Sequence, residues 1–268
     1  MKNKGGFVAF VILLSLLFAN VAAAQGETPP PPPSMPTDNE IVRTINLTKN
    51  PSSEIALKNV QLDIYSDGSR KIIVEGEFSF GDPTITYQIA IDEHAQSYLT
   101  RIVPTPIEDL EQIVPDEGSS KVNPLQVSPG TYSAQVIVRH KDIVGYELAR
   151  TTNKLGWRVN SNGSVTWLSY TDGCQGFTTP VTHWYLNGPC SGNAPWYCCG
   201  YVNNYVRGSY YNADWGDPSQ KTYAVHESNL RGLNNGKYSY TWYAQDSGED
   251  AGLIYATVSG SCSCNGRQ

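Results

Sequence analysis

From about Asn46 onward, apolar and polar residues alternate in short runs: "VQLDIYS" (60–66), "KIIVEGEFSF" (71–80), "TITYQIAI" (84–91) and "TYSAQVIV" (131–138). Turn residues break the runs, among them Asp67-Gly68 and Gly81-Asp82-Pro83. A period of two interrupted by turn signals predicts half-buried antiparallel strands, because successive side chains on a strand point to opposite faces. One stretch departs from the pattern. In "TPIEDLEQI" (105–113), Thr105 suits a helix cap, Pro106 the first turn, and Ile107, Leu110 and Ile113 share one side, which predicts a short helix crossing between sheets.

The pattern recurs along the chain. Asp63 to Gly68 matches Leu168 to Gly173, Phe78 to Pro83 loosely matches Trp184 to Pro189, and "GTYS" (130–133) matches "GKYS" (236–239), all in the same order and at offsets of about 105 or 106 positions. Two units of similar size are expected: a β-sandwich over 41–155 and a second, cysteine- and aromatic-rich sandwich over 156–268. In each, Gly-x-Tyr opens an alternating strand and a hairpin returns through "GYELARTT" or "AGLIYATVSG". This resembles the last two strands of immunoglobulin-like or fibronectin type III-like sandwiches, where a tyrosine at the penultimate strand ties its hydroxyl to the backbone. The resemblance implies an all-β fold of two tandem antiparallel sandwiches, and it lends no function. Alternation in "KYSYTWYAQ" (237–245) sets Tyr238, Tyr240, Trp242 and Ala244 against the core positions Tyr132, Ala134, Val136 and Val138, so these rings are expected inside.

The N-terminus reads differently. Lys2 and Lys4, an apolar run from Phe7 to Val21, and Ala22, Ala23 and Ala24 have the three parts of a secretory signal over 1–24. Export and an extracellular location follow as expectations. Residues 25–40 form a linker whose run Pro29 to Pro33 lacks amide donors and favours an extended polyproline spacer. Loss of Lys2 and Lys4 takes the formal net charge from −6 to −8. An acidic surface repels phosphate backbones and anionic lipid, so neither nucleic acid nor a membrane, beyond the leader, is an expected partner.

All six cysteines, Cys174, Cys190, Cys198, Cys199, Cys262 and Cys264, fall in the second unit. An even number in an exported chain implies disulfides rather than a metal site, since no C-x2-C pair is present. Spacing does not fix the pairing. Cys190 with Cys198 is the expected short loop, leaving Cys262 and Cys264 to meet Cys174 and Cys199.

All six tryptophans and twelve of the seventeen tyrosines lie from Trp157 onward, more than a sandwich core consumes. In "PWYCCGYVNNYVRGSYYNADWGDPS" (195–219) the rings are interleaved with Asn, Gly and Ser, the chemistry of a rigid amphipathic contact surface. Trp196, Tyr201, Tyr205, Tyr210, Tyr211 and Trp215 are the candidate stacking rings, with Asn203, Asn204, Arg207 and Asp214 as polar partners for sugar hydroxyls. The expected function is non-enzymatic recognition of an extracellular polysaccharide or cell-envelope glycan. The alternatives are a protein contact, including assembly of copies into a fibre or surface layer through β edges, and a hydrolase using Asp214, Asp217 or Glu249. No nucleophile elbow or zinc-protease helix accompanies His183, His226 and Glu227, and no cofactor is expected. The acids of "QDSGEDA" (245–251) read as solvated turn residues. Asn46-Leu47-Thr48 and Asn162-Gly163-Ser164 fit the glycosylation acceptor pattern.

Overall fold

A computed structural model describes residues 40–78, 85–105, 129–179, 182–198, 200–212, 221–248 and 254–265. The expected leader, most of the expected linker and the expected helix after Thr105 lie outside the described residues. The alternating runs form β1 (Ile41–Asn46), β2 (Thr48–Lys49), β3 (Asn59–Tyr65), β4 (Arg70–Phe78), β5 (Ile85–Asp92), β6 (Ser97–Val103), β7 (Gly130–Asp142) and β8 (Glu147–Val159). The later chain gives β9 (Val165–Gly176), β10 (Thr178–Thr179), β11 (Thr182–Leu186), β12 (Ser191–Cys198), β13 (Tyr201–Asn212), β14 (Tyr223–Leu233), β15 (Tyr238–Ser247) and β16 (Ile254–Asn265). The all-β expectation holds.

The strands build two sheets. One has nine strands in the order β1-β3-β4-β15-β14-β13-β11-β10, with β12 also on β13; the other has seven, β2-β6-β5-β16-β7-β8-β9. Among the described residues, all strand pairs are antiparallel except β2 with β6. Two single residues join the sheets at their sides: Leu47 between β1 and β2, and Phe177 between β9 and β10, each chain passing from one sheet to the other as a corner.

This topology corrects the tandem arrangement. β15 pairs along its length with β4, and β16 lies between β5 and β7, so strands from both expected units share each sheet. β8 itself runs through the boundary at 155/156. The matched hexapeptides also differ: Asp67-Gly68 forms the β3–β4 turn, with Gly68 at a φ of 84°, whereas Asp172-Gly173 lies inside β9. A short polar-aromatic string followed by Asp-Gly serves a turn or a strand according to what flanks it.

The inner faces meet as the alternation requires. Tyr132, Ala134, Val136 and Val138 of β7 are buried, and so are Tyr238, Tyr240, Trp242 and Ala244 of β15, as expected. Trp242 Nε1–H donates to the Tyr87 hydroxyl at 3.0 Å, and that hydroxyl is 3.1 Å from the hydroxyl of Tyr240, so the aromatic core is bonded across the sheets. Gly76 makes room for this layer, since a Cβ there would sit 2.2 Å from the Tyr240 hydroxyl.

Candidate binding face

β13, β14 and β15 lie side by side in the nine-stranded sheet; one row of alternate residues on each faces the other sheet, and the remaining row forms an outer face turned away from it. Register aligns Arg207, Glu227, Tyr243 and Ile73 across four strands. The next rows are Tyr205, Asn229, Thr241 and Glu75, and Asn203, Arg231, Ser239 and Glu77.

Glu227 is the electrostatic centre. It pairs with Arg207 at 3.5 Å and accepts a hydrogen bond from the Tyr205 hydroxyl. Partial burial pushes its carboxyl above the usual range, opposed by the Tyr205 bond and by Arg207 and Lys71. Burial, with the charge of Glu227, pushes the Tyr205 hydroxyl well above its ordinary value, so that ring is a hydrogen-bond donor and a poor nucleophile. Two other rings carry cations: Lys71 Nζ lies 3.8 Å from the centroid of Tyr243, and the Arg231 guanidinium 4.4 Å from that of Tyr201.

The sequence candidates divide between faces. Tyr201 and Tyr205 are half-buried on the outer face, and Arg207 is exposed there. Asn203 and Tyr211 share that side but are buried, Tyr211 packing against Tyr185 with centroids 5.5 Å apart. Asn204 and Tyr210 are corrections: both belong to the inner rows and are fully buried. Register places Trp196 opposite Asn203, while Asp214 and Trp215 lie outside the described residues. So do Asp217 and Glu249. Sequence reading missed Glu227, Arg231, Tyr243 and Lys71 as parts of one face; strict alternation through "YAVHESNLRGL" (223–233) carried the signal, since neighbours His226 and Glu227 must face opposite ways.

Behind this face runs a buried polar seam between the sheets. Tyr210 donates to the carbonyl of Arg150, and its oxygen is 2.6 Å from Thr151 Oγ1. Thr151 lies 3.1 Å from His226 Nδ1, and His226 Nε2 lies 2.7 Å from His140 Nδ1. With the Tyr210 proton committed, Thr151 donates to Tyr210, neutral His226 donates from Nδ1, and His140 donates from Nδ1. Burial pushes His140 down to about 4 and His226 well below its ordinary value. Asn153 and Asn204 continue the seam, Asn204 Nδ2 donating to Asn153 Oδ1 at 2.9 Å and to Asp172 Oδ1 at 3.0 Å. Gly208 is required here, because a Cβ would lie 2.4 Å from the Tyr210 hydroxyl.

No family model matches the chain, and no curated protein does. Among solved structures it is similar to domain G2 of mouse nidogen-1, at 11% sequence identity over 84% of this chain and 88% of that one, with a TM-score of 0.15. That likeness carries no argument here.

The disulfide corrects the expected pairing of Cys190 with Cys198. Cys190 bonds Cys174, with 5.4 Å between Cα atoms, because β9 and the start of β12 meet where the two sheets share a side. Cys199 lies outside the described residues, and Cys198, Cys262 and Cys264 are placed by backbone register alone. Asp246 is no solvated turn acid: it stands opposite Arg70 at the end of β15, and burial pushes it up to about 6. Asn162 shapes the β8–β9 turn, its Oδ1 accepting from Ser164 N at 3.0 Å. Among the described residues there is no histidine, cysteine and carboxylate group suited to a metal, and no helix long and apolar enough to cross a membrane.

Proposed function

We propose that this protein is an extracellular, non-enzymatic binding protein that holds a polysaccharide or cell-envelope glycan on the outer face of the nine-stranded sheet. The observation that supports this reading is the constellation around Glu227: Tyr205, Arg207, Tyr243 with Lys71, and Tyr201 with Arg231. Rings offer flat apolar area to the C–H face of a sugar, and the acid, guanidinium and amide groups between them bond its hydroxyls. Opposite charges alternate on the face, which fits a neutral chain of sugars better than a strongly anionic one. Trp196, Asp214 and Trp215 remain candidates of the proposal on their sequence alone.

The test is calorimetric titration of the oxidised protein with a panel of neutral and acidic soluble polysaccharides. Saturable binding to a neutral member, weakened about tenfold or more by Tyr205→Ala and by Tyr243→Ala in variants with native circular dichroism, is the expected result, since removing a central ring from a contact costs more than about 1 kcal/mol. Binding that persists unchanged in both variants places the glycan elsewhere. Absence of binding to every glycan sinks the reading.

A further inference from the structure

Four hairpins of this molecule close with the same three-residue turn, at Ser66–Gly68, Ile143–Gly145, Ser161–Gly163 and Asn234–Gly236. In each the glycine takes a positive φ, 84°, 94°, 77° and 79° in that order. Its N–H donates to the carbonyl of the residue before the turn: Tyr65, Asp142, Asn160 or Leu233. With one backbone in four places, the side chains can be compared directly. Three of the tips carry the polar pairs Ser66-Asp67, Ser161-Asn162 and Asn234-Asn235, as turn chemistry favours. The fourth, between β7 and β8, carries Ile143 and Val144, which are 71% and 73% accessible, with Tyr146 at 55% beside them.

In this fourth turn the polar acceptor has moved from the tip to the base. In the other three, the residue before the glycine accepts from the amide two positions on: Asp67 Oδ1 from Ser69 at 2.9 Å, Asn162 Oδ1 from Ser164 at 3.0 Å, and Asn235 Oδ1 from Lys237 at 3.0 Å. Val144 holds that place between β7 and β8 and has no acceptor to offer. Asp142 replaces it, its Oδ1 accepting from Tyr146 N at 2.8 Å and from Val144 N at 3.0 Å. The N–H groups of Asp142, Val144, Gly145 and Tyr146 thus all find acceptors within the hairpin, while the tip presents aliphatic surface. A turn built this way gives up none of these bonds when water leaves it, which is the condition a lipid environment sets. The tip also stands beyond the described strands beside it, since β9 ends opposite Ala149 and β16 begins opposite Asp142.

We propose that the β7–β8 tip inserts into the surface of a zwitterionic lipid bilayer. Ile143 and Val144 lead, and Tyr146 sits at the depth of the headgroups, where an amphipathic ring is favoured. The size of the feature selects lipid over protein. A stable protein interface draws about 20–30 residues from each partner, far more than Ile143 to Tyr146 supply, whereas a bilayer needs only apolar side chains that can leave water. The negative charge of the chain counts against anionic lipid and leaves a zwitterionic surface accessible. The contact shares no residue with the outer face around Glu227, so the glycan reading and this one stand or fall separately.

The experiment is co-sedimentation of the chain from Gln25 onward with phosphatidylcholine vesicles, carried to millimolar lipid because a few apolar groups give marginal, reversible binding. The expected result is binding that weakens about tenfold or more when Ile143→Ser and Val144→Asn are made together, since two aliphatic side chains then no longer leave water. This double variant copies the Ser161-Asn162 tip of the same turn, so the hairpin is expected to persist, and circular dichroism checks the fold. Ile102→Ser, which removes an exposed apolar side chain from β6, is expected to leave binding unchanged. A protein that stays in the supernatant at every lipid concentration overturns the proposal. So does vesicle binding that the double variant retains, which would place the contact elsewhere. Self-association of the parent without lipid, lost in the double variant by sedimentation equilibrium, also overturns it, since the tip would then meet a second copy.

Discussion

At the scale of single residues, protons decide most. His140 and His226 are neutral in the fold because burial disfavours the imidazolium, and their donors are already committed along the seam, His226 Nδ1 to Thr151 and His140 Nδ1 to His226 Nε2. Their folded values lie below the ordinary histidine value, so between the two the unfolded chain binds more protons. Stability is therefore fully present above about pH 6.5 and falls as the pH drops towards about 4. We expect the thermal midpoint of the parent to fall across that interval, and His226→Gln, although less stable at neutral pH, to show a shallower fall. Parallel curves for the two proteins would remove the histidines as the cause. Glu227 has the opposite sign: its raised carboxyl means that the folded state keeps its proton longer, so this group's contribution declines as the pH rises through the window above the ordinary carboxylate value.

At the scale of elements, period two assigns the faces and pairing partners assign the neighbours. Tyr238, Tyr240 and Trp242 were legible as core from alternation alone, whereas Asn204 and Tyr210 were grouped with outer residues because a polar-aromatic stretch was read as one surface. A strand has two surfaces, and β13 spends one on the seam and the other on the candidate face. The disulfide is also an element-level fact. Cys174 and Cys190 are 16 residues apart, yet they join the sides of two different sheets, which spacing does not foresee. Replacing both by serine is expected to lower unfolding free energy by about 2–4 kcal/mol, as loss of a loop of this length typically does. Urea unfolding of the Cys174→Ser, Cys190→Ser double variant under oxidising conditions is the check, and an unchanged midpoint would show that the hydrogen-bonded corner holds without the bond.

At the scale of the whole molecule, the nine- and seven-stranded sheets each mix early and late strands, so the chain folds as one sandwich closed at both sides by Leu47 and Phe177. A fragment ending at Leu155 lacks β15 beside β4 and β16 between β5 and β7, and leaves those ladder groups and the inner faces in water. We expect such a fragment to show no cooperative thermal transition by circular dichroism, and a cooperative one would restore the independent first unit. The local sequence determined that this protein is all-β, which residues of β7 and β15 point inward, and that the late half carries more aromatic side chains than its core consumes, because alternation and turn chemistry act over a few neighbouring residues. Only the tertiary structure decided which strands lie side by side. That choice placed β15 against β4, brought Lys71 over Tyr243, joined His140 to His226 and set Glu227 among Tyr205 and Arg207. Each of these is a contact between distant parts of the chain, fixed by the packing of two whole sheets, and no short window of sequence contains both partners.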